Sequence, residues 1–159
     1  MVPPDVFAIS QEAVMPQVSR RAMVAALGLS AGSMLAHNLY ELPLTPIDLE
    51  NSGPILVAAL VGVAYVLQPA SRAVAAAALG WGVMNLVIGG VVSGLPLSIL
   101  PFVPEQSLAH YGAHVVYTLG QVPLVVLSYR ALRSTPPVPA TPEVAPTPPS
   151  GMGNEIRGG

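Results

Sequence analysis

Four long apolar runs, nearly free of charge, alternate with short segments rich in proline and ionisable residues. That alternation leaves the chain few ways to fold. The runs fall at about 21–42, 54–68, 71–94 and 107–132. At a rise of about 1.5 Å per residue, a helix of some 20 residues crosses a hydrocarbon core of about 30 Å. The second run, "PILVAALVGVAYVLQ", is short and must stand nearly upright to cross. Charged residues make up 9% of the chain and hydrophobic residues 52%, whereas a soluble domain carries about a quarter charged. So little charge cannot cover a water-exposed surface, and lipid is the expected solvent. The fold class expected is all-α, a polytopic membrane protein built as a four-transmembrane-helix bundle over residues 20–133.

The breaks support this division. "ELPLTPIDLENSGP" carries Pro43, Pro46, Asp48, Glu50 and Gly53 and reads as a loop. Pro54 then suits the first turn of the second helix. "PASR", with Pro69 and Arg72, separates the second and third runs. "PLSILPFVPE" is apolar, but Pro96, Pro101 and Pro104 interrupt it. Irregular backbone cannot cross lipid with its amides unpaired, so this segment is expected at the interface or folded onto the bundle. Pro123 predicts a kink in the fourth helix. Residues 1–19 read as a polar N-terminal arm. Residues 134–159, rich in Pro, Thr and Gly, read as a disordered tail with polyproline II character, better explained as solvated than as a peptide ligand.

There is no Lys, and the arginines set the orientation. Arg20 and Arg21 precede the first run, Arg72 divides the second from the third, and Arg130 and Arg133 close the fourth. With four spans these positions share one side. The other two loops carry Glu41, Asp48, Glu50 and Glu105 and no basic residue. The positive-inside rule puts both termini in the cytoplasm. The Ala, Val, Gly, Pro and Arg bias points to a GC-rich bacterial genome, and so to an inner (plasma) membrane. "SRRAMVAALGLSAGSMLA" resembles a twin-arginine export signal, but "SMLAHN" offers a poor cleavage site and three more runs follow. An uncleaved first span is the better reading.

Much chemistry is excluded. Without Cys there are no disulfides, iron–sulfur clusters or thiolate metal sites. Basic residues are few and scattered, which gives no nucleic-acid surface. No dinucleotide fingerprint, P-loop or nucleophile elbow occurs, so nothing marks the chain as an enzyme. Gly28 with Gly32, and Gly90 with Gly94, are GxxxG pairs suited to close helix packing. Contact within the bundle is preferred over a homo-oligomeric face. Trp81, near the middle of its run, is expected inside the bundle rather than in an interfacial belt. The expected partners are the bilayer and either further copies or a larger membrane complex.

The polar residues of the runs are not scattered. In the first, Ser30, Ser33, His37 and Glu41 follow steps of three and four and share a helix face. In the fourth, His110, His114, Tyr117 and Gln121 do the same. Asn85 is the main polar residue of the third. Such side chains turn to the bundle interior, because lipid offers them no partner. An interior stripe of Ser30, Ser33, Asn85, Tyr117 and Gln121 is therefore expected. All three histidines fall at the outer end, with Glu41 in the same layer.

On one helix His110 and His114 can reach a single metal ion. His37 would add a third nitrogen and Glu41 a carboxylate, a set suited to Zn, Cu or Fe. Thioethers at Met34 or Met84 would favour Cu⁺. One b-type haem is the other form of the idea, with an axial histidine from each of two facing helices and glycines making room. Glu105 fits better as a first-turn residue of the fourth helix, complementing its dipole. Against the site stands a plainer reading, in which the histidines bond between helices or titrate at an interface. Other classes stay open: a small transporter or channel subunit lined by the stripe, or a structural or assembly subunit without chemistry of its own.

Overall fold

The computed structural model describes residues 17–101 and 103–134. Most of the N-terminal arm and nearly all of the proline-rich tail lie outside the described residues. Among the described residues there is no strand. Four helices are long and apolar enough to cross a membrane: α1 (Arg20–Glu41), α2 (Leu49–Leu67), α3 (Arg72–Met84, prolonged to Gly94) and α4 (Leu108–Ser134). Leu56, Leu60, Leu67, Val116 and Leu119 lie exposed on the helices. That is the surface a lipid-facing bundle presents and a water-soluble one avoids.

Serine caps start three of the helices. Ser19 accepts from the Ala22 N–H, Ser71 from Val74 and Ser107 from His110, satisfying amides that have no intrahelical partner. Ser107 as cap corrects the expectation for Glu105. The fourth helix begins at Leu108, so Glu105 lies exposed in the preceding segment rather than in its first turn.

Two further boundaries differ from expectation. α2 begins at Leu49, five residues before Pro54, which sits inside the helix. The Asp48 carboxylate accepts from the Thr45 N–H and hydroxyl and closes the turn into α2, so the helix starts upstream of its proline. The third span is also not one regular helix. After Met84 it becomes a π-helical segment (Asn85–Val91) and then a 3₁₀ turn (Val92–Gly94). There the Asn85 side-chain amide donates to the Trp81 carbonyl, which its own backbone N–H shares, and Ser93 donates to the Gly89 carbonyl. Such local competition loosens regular helix. α4 continues through Pro123 without a break.

α4 packs against α1 and α3, and α2 is held mainly by α1. Hydrogen bonds between helix ends give the order. At one end the Tyr65 hydroxyl donates to the Val18 carbonyl and Arg72 to the Leu132 carbonyl. The end of α1 meets the start of α4 at the other. The core joins Met23, Ala26 and Leu27 of α1 to Ala58 and Tyr65 of α2, Ala75 and Ala78 of α3, and Leu124 of α4. Trp81 packs against this core, partly buried.

The glycines divide by function. A Cβ on Gly94 would meet the His114 ring at 2.9 Å, and one on Gly90 would run into Thr118. This GxxxG pair is therefore a close contact with α4. Gly28 and Gly32 meet nothing within 4 Å and are exposed. The expected intramolecular contact is absent at that pair, because α1 turns its other face, with Ser30 and Ser33, to α4.

Candidate functional site

The polar residues of α1 and α4 lie against one another. Gln121 is 0% exposed. Its oxygen accepts from the Ser30 hydroxyl, and its amide donates to the Ser30 carbonyl and the Ser33 hydroxyl. One turn outward the Tyr117 hydroxyl donates to Asn85 Oδ1 at 2.8 Å. The five stripe residues are buried and bond largely to one another. Two cavities of about 450 and 310 Å³, lined mostly by apolar side chains, lie outside the stripe, the second bordered by Gly90, Gly94 and His114. The stripe thus resembles interhelical glue more than a wet path.

Above it the three histidine rings stack edge to face. The centroids of His37 and His114 are 4.4 Å apart, and those of His110 and His114 4.5 Å. In each ring Nδ1 is committed to an oxygen. His114 Nδ1 faces the Gly90 carbonyl at 3.0 Å. A carbonyl only accepts, so this nitrogen carries the hydrogen. His110 Nδ1 donates to Glu41 Oε2 at 2.7 Å. His37 Nδ1 lies 3.1 Å from Asn38 Oδ1. The Asn38 amide is oriented by its other end, where Nδ2 donates to Asn51 Oδ1 at 2.9 Å, and Asn51 in turn donates to the Thr45 carbonyl at 2.7 Å. Asn38 therefore presents an oxygen to His37, and His37 also carries its hydrogen on Nδ1.

A neutral imidazole has one N–H, so with Nδ1 donating, each Nε2 holds a lone pair. His37 Nε2 and His114 Nε2 nevertheless face each other at 3.1 Å. In this tautomer no hydrogen lies between them, and a shared proton or a bound metal ion would be the partner both lack. The third Nε2, of His110, is the buried side-chain polar atom that has no partner among the described residues.

All four expected ligand residues lie in one layer, but Glu41 differs in role. Its carboxylate bonds to His110 Nδ1, the place of an outer-sphere group that orients a ligating imidazole. Among the described residues no group of three or more His, Asp or Glu is placed so that it could hold a metal ion as it stands. What stands ready is the His37–His114 pair, with His110 beside it. Met84 is 43% exposed on α3, so it does not supply a thioether. A haem is poorly accommodated. Axial nitrogens lie roughly 2.0 Å either side of a metal, whereas the facing nitrogens are 3.1 Å apart. Gly89, Gly90 and Gly94 are filled by Tyr117, Thr118 and His114 and open no slot for a porphyrin.

Sequence reasoning missed Asn51 and the Gly90 carbonyl, and read Gly94 as a packing residue without its histidine neighbour. Asn51 falls in what reads as a loop, and a carbonyl has no residue-type signature. Pro54 was the available signal for part of it: having no N–H, it leaves the Glu50 carbonyl without its helical donor, and Asn38 Nδ2 approaches that oxygen at 3.4 Å. Comparison of the chain with protein families, curated proteins and solved structures gives no match.

Proposed function

We propose that this chain is a four-span inner-membrane protein, with both termini cytoplasmic, that binds one divalent transition-metal ion through His37, His110 and His114 at its outer end. Metal handling, or a metal-bearing place in a larger membrane complex, is the activity that follows. The observation that carries the reading is the set of three imidazoles whose Nδ1 atoms are all spoken for by oxygen acceptors. A shared proton would reconcile His37 with His114 but leave the buried His110 Nε2 unpaired. An ion between His37 and His114 would have a further coordination position for His110, whose ring must turn to reach it, since the three do not hold an ion as they stand. In a tetrahedral site with metal–nitrogen bonds of about 2.0–2.1 Å the nitrogens lie roughly 3.3 Å apart, so the pair at 3.1 Å needs little movement. Neutral imidazoles suit Zn²⁺ and Cu²⁺, and the Glu41 carboxylate would offset part of the ion's charge through His110. Orientation rests on Arg20, Arg21 and Arg72 at the opposite end.

Elemental analysis of the detergent-purified protein, before and after loading with Zn²⁺ or Cu²⁺, tests this. Wild type is expected to hold one ion per chain, and a folded His37→Ala, His114→Ala double variant none. No metal in wild type after loading would refute the reading. His110→Ala separates the two positive species: it should weaken a metal site and leave a shared proton untouched.

A further inference from the structure

We propose that Asn51 of α2, acting through Asn38, is a positioning residue that fixes which nitrogen of His37 carries hydrogen. The relay runs from the Thr45 carbonyl to Asn51, from Asn51 Oδ1 to Asn38 Nδ2, and from Asn38 Oδ1 to His37 Nδ1. Each link is directional. The Thr45 oxygen can only accept, which turns the Asn51 amide nitrogen toward it and the Asn51 oxygen toward Asn38. That oxygen draws the Asn38 nitrogen and leaves the Asn38 oxygen for His37. His37 must then place its hydrogen on Nδ1 and its lone pair on Nε2, facing His114. Without Asn51 the Asn38 nitrogen keeps only the long contact to the Glu50 carbonyl at 3.4 Å, beyond the useful range of a hydrogen bond. A free amide flips at little cost and would offer His37 its nitrogen instead, reversing the tautomer. Asn51 is 0% exposed, so water does not substitute for it.

The relay also gives a reason for a buried amide that neither the core nor the three imidazoles use directly. It locks the outer turn at residues 45–51 to the site, so α2, which contributes no histidine, still controls one. The purpose of the relay rests on the metal reading above, but its existence does not. The two therefore fail separately.

The test is the protonation of each ring nitrogen by long-range ¹H–¹⁵N correlation on ¹⁵N-histidine-labelled full-length protein in micelles, without metal at about pH 8. His37→Ala assigns the spectrum. In wild type, His37 Nδ1 should appear as a hydrogen-bearing nitrogen. In Asn51→Leu it should shift toward the unprotonated type, while His114, held by the Gly90 carbonyl, stays unchanged and reports that the bundle is intact. Asn38→Asp supplies the conservative rescue: a carboxylate only accepts, so His37 should keep its Nδ1 hydrogen with the Asn51 link severed. Zn²⁺ affinity should fall about 10- to 100-fold in Asn51→Leu, as for other outer-sphere partners, and recover in large part in Asn38→Asp. If Asn51→Leu does not fold, Asn38→Leu makes the same test from the other link. An unchanged His37 Nδ1 in the folded Leu variant would overturn the relay. A shifted tautomer in a protein that takes up no Zn²⁺ would uphold the relay and refute the metal reading.

Discussion

Gly94→Ala should damage the histidine cluster through a single methyl group. A Cβ at this position would lie 2.9 Å from His114 Cγ and 3.1 Å from both Cδ2 and Nδ1. Carbon atoms pack best at about 3.5–4.0 Å, so the ring must retreat by roughly 0.6 Å. It has no such freedom. Its Nδ1–Gly90 bond is already 3.0 Å, against a useful limit of about 3.2 Å for N–H···O. A metal site tolerates ligand displacements of only about 0.2 Å. The expected result is a 10- to 100-fold loss of Zn²⁺ affinity, by competition with a chromogenic chelator, together with about 1–3 kcal/mol of destabilisation from overpacking. Gly112→Ala is the control. It lies on α4, its Cβ would meet nothing within 4 Å, and helix propensity gains up to about 1 kcal/mol from the change. Equal Zn²⁺ affinity in the two variants would refute the placement of His114 against the third span.

Three further outcomes are expected. Gln121→Leu removes the hydrogen bonds to Ser30 and Ser33; interhelical bonds in membranes average about 0.6 kcal/mol, so a loss of about 1–2 kcal/mol should appear in detergent unfolding, and no loss would mean that the stripe does not join α1 to α4. The Thr45 N–H and hydroxyl hold the Asp48 carboxyl below its ordinary value of 3.8. The contribution of this turn is thus present above pH 3.8 and lost as pH falls through the lower folded value, so the Thr45 amide resonance should titrate with a midpoint below 3.8, and a midpoint above it would contradict the turn. Gly32→Leu should leave folding and Zn²⁺ uptake intact, by circular dichroism and metal analysis, because nothing packs within 4 Å; a misfolded variant would show that this face is not turned to lipid.

The parts of the fold that could be read from sequence are those that lipid dictates. A bilayer demands about 20 apolar residues in a helix, so the four spans follow from run length alone, and helical phase brings His37, His110, His114 and Gln121 to inward faces. What sequence does not show is where a helix departs from regularity. Period-3.6 reading treats Asn85–Val91 as more of the same helix, although Asn85 competes for a backbone acceptor there. It reads Leu49–Gly53 as loop because proline and acidic residues dominate the window, whereas the Thr45–Asp48 turn starts the helix early. Phase likewise could not assign the role of Glu41. It sits one turn from His37 on the same face, yet its carboxylate crosses to His110 on another helix, a choice made by the register between helices.

These irregularities fall where the site needs them. In lipid every backbone carbonyl must find a donor, and regular helix leaves none spare. A cluster of imidazoles near the membrane needs acceptors for three Nδ1 hydrogens: the Glu41 and Asn38 side chains supply two, and a helix carbonyl supplies the third. The third span offers that carbonyl near its C-terminal end. Its π segment gives way to a tight 3₁₀ turn, in which the Leu95 N–H bonds to Val92, and the Gly90 carbonyl takes the His114 hydrogen. α2 offers another at Pro54, whose missing N–H leaves the Glu50 carbonyl to Asn38. The bare glycines at 90 and 94 let α4 come close enough for the first of these contacts. Short π segments inside helices often mark functional positions. Here the irregular stretches hold the Gly90 carbonyl that faces His114 and the Glu50 carbonyl that Asn38 approaches.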